Sequence, residues 1–242
     1  SECKDALRRA VALEPENGDY LHILGIVCFK LDQQEEAIGN LKRATETKDA
    51  PSQVFFDLGN AYRKAGMPEE AREALAAYQK LYGVEREKDD QRRKIDQLMN
   101  QAQNQIDSGS ILEAVQSYLR VVEADPDQWK AHSFLAKVYI SSNRGMSALP
   151  HIEKMLEIAP ENSEGSFLMA AYLVGLSRFK KAQEFAEKSR SLLPGNPQLR
   201  NLLGNIYMSL GKEDEARREY RAATKLEPDN VAFQMNLKSV SK

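Results

Sequence analysis

Between Pro197 and Asn230, Leu203, Gly204, Tyr207 and Leu210 fall at i, i+1, i+4 and i+7, the stripe of a helix with one apolar face. Gly211 interrupts the stripe. A second one follows, with Ala216, Tyr220, Ala223 and Leu226 at i, i+4, i+7 and i+10. Pro228 ends it, because proline cannot continue a helix and biases the preceding residue away from the α region. The segment is predicted to be a helix–turn–helix unit. Small residues at Gly204, Ala216 and Ala223 let the two axes approach, and Tyr207 and Tyr220 fill the space between them.

The unit recurs. Ala114, Ala148, Ala182 and Ala216 are 34 residues apart, as are Pro126, Pro160, Pro194 and Pro228. Ala37 and Ala71 keep the same interval, and the step from Ala71 to Ala114 is 43, one period plus nine residues. Self-similarity at this period predicts a stack of identical supersecondary units, in which each unit buries its apolar face against a neighbour.

The large residue, Leu-Gly pair, Tyr, Ala, aromatic, Ala and Pro of this pattern resemble the tetratricopeptide repeat. Phe55, Leu58, Gly59, Tyr62, Ala71 and Leu75 carry it in one copy, and Leu21, Leu24, Gly25, Cys28, Ala37, Leu41 and Ala44 in another. Leu135, Ala136, Tyr139, Ala148, Ile152 and Pro160 form a third, followed by Met169, Ala170, Leu173, Ala182, Ala186 and Pro194. The copy from Ile95 departs most, with Gln101 and Gln105 at the Leu and Tyr positions. Six full repeats result. The resemblance implies an all-α, right-handed superhelical α-solenoid of helix–turn–helix units. The expected organisation is a half repeat and two full repeats over 1–84, a charged insertion or helix extension over 85–94, four repeats over 95–230, and a capping helix over 231–242. Cys3, Leu7, Ala10 and Pro15 fit the second helix of a repeat lacking its first, so a fragment of a longer protein is expected.

Composition narrows the function by exclusion. Lysine and arginine number 34 against 36 acidic residues, a net −2, so no global field attracts nucleic acid or a membrane. No run of 18 apolar residues suggests membrane insertion. Two cysteines, Cys3 and Cys28, cannot build a disulfide framework; both fall at core positions of the repeat and are expected as buried free thiols, with a mild preference for a reducing compartment. A signal outside the fragment would leave the periplasm open. The histidines, His22, His132 and His151, stand alone at no metal-ligand spacing. No phosphate loop, nucleophile elbow or dinucleotide fingerprint is present. No catalytic residue, cofactor or metal is expected.

In such a solenoid the first helix of each repeat lines the concave face. The resemblance therefore assigns a partner-binding groove to Phe29, Phe56, Asn60, Arg63, Lys64, Gln103, Lys130, Lys137, Phe167, Asn201 and Asn205, with Ser133 and His22 among their neighbours. Apolar anchors beside fixed cations suit a peptide or partner domain with some acidic character. Some members of the family clamp a C-terminal carboxylate. Here Asn60, Asn100 and Lys130 match that clamp, but Phe56 and Phe134 replace its other cations, so no such clamp is expected. The leading reading is a protein–protein interaction scaffold. Two others stay open: the recruiting arm of a multidomain enzyme or bacterial envelope or secretion assembly protein, and a self-associating homodimer.

Overall fold

The computed structural model describes residues 2–240; Ser1, Ser241 and Lys242, at the ends of the expected segments, lie outside the described residues. Among the described residues there are thirteen α-helices and no strand. They are α1 (Glu2–Leu13), α2 (Gly18–Lys30), α3 (Gln34–Thr45), α4 (Ser52–Lys64), α5 (Pro68–Asp107), α6 (Ile111–Ala124) and α7 (Trp129–Ser141). Then come α8 (Gly145–Ile158), α9 (Ser163–Gly175), α10 (Phe179–Leu192), α11 (Pro197–Ser209), α12 (Glu213–Leu226) and α13 (Val231–Ser239). The chain divides into an N-terminal unit, Ser1–Arg93, and a C-terminal unit, Lys94–Lys242. No helix is long and apolar enough to cross a membrane.

Each helix pair closes through one residue in the left-handed region. Gly66, Gly109 and Gly211 hold φ near +75°, where the missing Cβ removes the steric penalty. At the same repeat position stand Asp32, Asn143 and Ser177, with φ between 55 and 61°. Short polar side chains tolerate this conformation better than others. The turn is thus fixed by the period even where glycine is absent.

Four of the helices that open repeats, α2, α9, α11 and α13, are capped by the residue before them. Asn17, Asn162, Asn196 and Asn230 accept hydrogen bonds from backbone N–H groups of the first turn through their side-chain oxygens. Pro51 precedes α4 and offers no such oxygen. Glu85, from far along α5, replaces it: the Ser52 N–H and Oγ–H donate to its carboxylate at 2.9 and 2.5 Å. These two bonds, the hydroxyl's first, hold the Glu85 carboxyl below its ordinary range. Residues 85–94 all lie within α5, and 86–94 are exposed on every face.

Packing between successive repeats follows a size rule. The position near the end of each second helix holds Ala44, Val121, Met155, Ser189 and Ala223, each at most 2% exposed. Ten residues later, on the helix that opens the next repeat, stand Val54, Ala131, Gly165, Leu199 and Phe233, all buried. Small meets large in every pair. A Cβ added at Gly165 would lie 3.5 Å from the Met155 Cβ and 3.0 Å from Leu156, so the bulk of Met155 is received by a residue with none. The N-terminal unit holds two apolar clusters, around Leu21, Leu24 and Cys28 and around Leu41 and Leu58. The C-terminal unit has one continuous core from Ile95 to Val240.

Within a repeat the closest approach is Gly204 to Tyr220, where an added Cβ would sit 2.3 Å from Cε1. The ring cannot swing aside freely, because it is buried and its hydroxyl donates to Asn205 Oδ1 at 2.8 Å. Gly204→Ala is therefore expected to cost about 1–2 kcal/mol, the overpacking penalty less roughly 1 kcal/mol of helix propensity. Urea unfolding measures it, and a stabilised variant would show that the two helices have room to spare.

One expectation fails here. Cys28 is buried but Cys3 is exposed. Every alanine at the Cys3 repeat position, Ala37 through Ala216, is covered by the first helix of its own pair, whereas α1 has no such partner among the described residues. The core is instead met by Lys4, the next residue, whose ammonium is buried and donates to Glu36 at 2.5 Å and to Gln33.

Candidate functional site

Of the eleven side chains assigned to the groove, none is buried. In the N-terminal unit, Phe29 is half-buried on α2 beneath the Lys64 ammonium, 4.9 Å from its ring centre. Lys64 also pairs with Asp32 at 2.6 Å. Phe56 is 37% exposed on α4 and tilts against Tyr78 of α5, centroids 5.1 Å apart. Asn60 and Arg63 follow on the same helix, half-buried and exposed respectively. His22 is joined to Asp57 at 2.8 Å, so α2 and α4 are bridged on the side of their assigned residues.

In the C-terminal unit, Gln103 is exposed on α5 and donates to Asp107 at 2.9 Å. Lys130 and Lys137 project from α7, the first near the Trp129 ring and the second paired with Glu164 of α9. Phe167 is half-buried, with one side against the core. Asn201 accepts from Asn236 of α13 at 2.7 Å, and Asn205 accepts from Tyr220. Both asparagines therefore hold neighbouring helices in register as well as facing outward. Of the four cations expected along the groove, Lys64 and Lys137 are neutralised within the chain, and only Arg63 and Lys130 stand without an ion pair among the described residues.

Two readings of individual residues, Ser133 and the histidines, are corrected. Ser133 is buried, its hydroxyl donating to Glu164 at 2.9 Å, because the acidic residue opening α9 reaches back to α7. Phe134 is half-buried against Tyr118, centroids 4.5 Å apart, so it serves packing in place of a clamp cation. The histidines do not stand alone. His132 and His151 meet through their Nδ1 atoms at 2.9 Å, and His132 Nε2 donates to the Pro126 carbonyl at 2.9 Å. Their 19-residue separation hides the pair in a linear reading, since antiparallel helices bring it together. No cluster of three or more metal-ligating side chains occurs among the described residues. Gln105, at the Tyr position of the most divergent repeat, is held by the buried Ser117 hydroxyl at 2.8 Å.

Comparison with known proteins agrees with the internal geometry. Family models described as the tetratricopeptide repeat match residues 53–83, 99–163 and 173–239. The TPR repeat-containing protein MJ1428 of Methanocaldococcus jannaschii is 26% identical over 244 residues, covering 93% of this chain and 41% of that protein. Protein STIP1 homolog of Dictyostelium discoideum is 27% identical over 124 residues, 51% of this chain and 22% of that one. The chain thus spans less than half the length of these relatives. Among solved structures, the APC/C hetero-tetramer Cut9–Hcn1 aligns over 99% of this chain and 46% of its own, at 12% identity and a TM-score of 0.56, a likeness of fold. Helix pairs at a 34-residue period, left-handed turns in register and three matching family models lead to one conclusion: the chain belongs to the tetratricopeptide repeat family.

Proposed function

We propose that the chain is a non-catalytic protein–protein interaction scaffold that holds a peptide or partner domain along the helices opening its repeats. The carrying observation is that all eleven assigned side chains keep accessible surface while Leu58, Gly59, Leu135, Ala136, Leu203 and Gly204, on the same helices, are buried in the stack. In the N-terminal unit Phe56 supplies an apolar anchor, with Asn60 one turn on; in the C-terminal unit Phe167 supplies another, and Gln103, Asn201 and Asn205 offer hydrogen-bonding groups. With two of four cations already neutralised, apolar anchoring and hydrogen bonding carry more of the binding than attraction for an acidic ligand.

The test is affinity capture from lysate with the unmodified chain and with a Phe56→Ala, Lys137→Glu, Phe167→Ala variant. Proteins retained by the first and released by the second are expected. Equal retention by both would remove the groove from the account.

A further inference from the structure

The size rule between repeats holds at five junctions and breaks at one. Between the second and third repeats the two positions are Tyr78 and Gln97. Tyr78 is half-exposed, where Ala44, Val121, Met155, Ser189 and Ala223 at the same position are at most 2% exposed. It sits in an aromatic ladder, 5.1 Å from the Phe56 ring and 5.4 Å from that of Tyr82, which is 47% exposed. Gln97 is polar and exposed, and so is Asn104 seven residues on, a position that elsewhere holds Ala61, Val138, Tyr172, Ile206 and Val240. Residues 95–107 continue α5 and carry neither residue of the rule: a long amide stands at the position where it requires a small residue, and a second amide where it requires an apolar one.

We propose that the Phe56–Tyr78–Tyr82 face of the N-terminal unit docks an amphipathic helix of a partner protein, one with glycine or alanine against Tyr78 and an apolar side chain seven residues later. The occupant is set by continuity with the interface that the chain builds between its other repeats. Each second helix there receives a first helix whose bulk complements its own, and the nearest precedent for Tyr78 is Met155, received by Gly165 with Tyr172 seven residues on. An exposed aromatic cluster of this kind marks an interaction surface, and a helix in an apolar groove is an established mode of recognition. This face overlaps the proposed groove at Phe56 and is otherwise made of residues outside it.

The test uses a fluorescent, stapled peptide copying Ser163–Gly175, titrated into the whole chain and followed by anisotropy. Saturable binding is expected. It should weaken at least tenfold when the peptide carries Gly165→Gln, and at least tenfold when the chain carries Tyr82→Glu. Tyr82 is half-exposed, so circular dichroism melting should show that this variant remains folded. Lys137→Glu with Phe167→Ala should leave peptide binding unchanged, which separates this site from the groove. Absence of saturable binding, or equal binding by the Gly165→Gln peptide, would overturn the proposal. So would a dimer of the chain alone that Tyr82→Glu dissociates in sedimentation, because the face would then belong to a second copy.

Discussion

Glu219→Ala lowers the stability of the C-terminal unit by about 3 kcal/mol, the low end of what breaking a buried ion pair costs. Glu219 lies on α12 with its side chain 9% exposed. One oxygen accepts from Arg190 of α10 at 2.8 Å and the other from Arg200 of α11 at 2.9 Å. Arg190 is held in turn by Glu187, which also accepts from the Tyr207 hydroxyl. Truncation removes the one group between two guanidinium ions that are only 33% and 21% exposed. They then repel each other in a partly desolvated site. Their residual access to water keeps the cost at the low end of the range.

The melting temperature should fall by roughly 5–10 °C, and hydrogen exchange should accelerate first in α10 to α12. Restoring an apolar site with Glu219→Leu, Arg190→Met and Arg200→Met together should recover most of the loss. A change under about 1 kcal/mol for Glu219→Ala would mean that water already serves these arginines as well as the carboxylate does.

Helix pairs, turns and core positions were legible because each is specified by a residue type repeated at a fixed interval. Gly66, Gly109 and Gly211 announced their turns, and the period carried the same backbone to Asp32, Asn143 and Ser177, whose side chains do not announce it. What escaped was every interaction between residues that the repeat does not specify. Glu85 sat in a run read only as a charged insertion or helix extension, yet it caps α4 because Pro51 cannot. Cys3 occupies a core position, but burial needs a neighbouring helix as well as a register. The charge of the groove was overstated because Lys64 and Lys137 were counted without Asp32 and Glu164, which approach from adjacent helices. The groove residues themselves were named from a resemblance, and their accessibility is the property most easily transferred, since the solenoid geometry dictates it.

Acidification from pH 7 to 5 weakens the C-terminal unit through His151 of its histidine pair. His132 Nε2–H donates to the Pro126 carbonyl, so its Nδ1 must accept, and His151 must present Nδ1–H to it. The bond between α7 and α8 thus needs an unprotonated His132 Nδ1. A proton can be added to His151 at Nε2 without breaking that bond, but the ring is half-buried and stacked on Tyr139, which Arg144 also covers. Burial first, and the neighbouring His132 second, push His151 down from 6.5 to about 4.

A histidine depressed in the folded state binds fewer protons than in the unfolded chain. Its contribution is therefore full above pH 6.5 and is lost as the pH falls toward 4. The shift corresponds to about 3 kcal/mol, reduced to about 2 kcal/mol by the solvent that reaches a half-buried ring. Glu36 and Glu85, held below their ordinary value of 4.5 by hydrogen bonds in the N-terminal unit, lose their contribution only at lower pH. The C-terminal unit should consequently loosen first, with helices α7 and α8 losing exchange protection between pH 6.5 and 5. His151→Gln keeps a donor for His132 and removes the depressed titration, so it should flatten this part of the profile. Imidazole nitrogen shifts followed by NMR give the protonation sites directly. A His151 that titrates near 6.5 with its Nδ1–H retained would show that the pair carries no penalty for charge, and the acid sensitivity would then have to arise elsewhere.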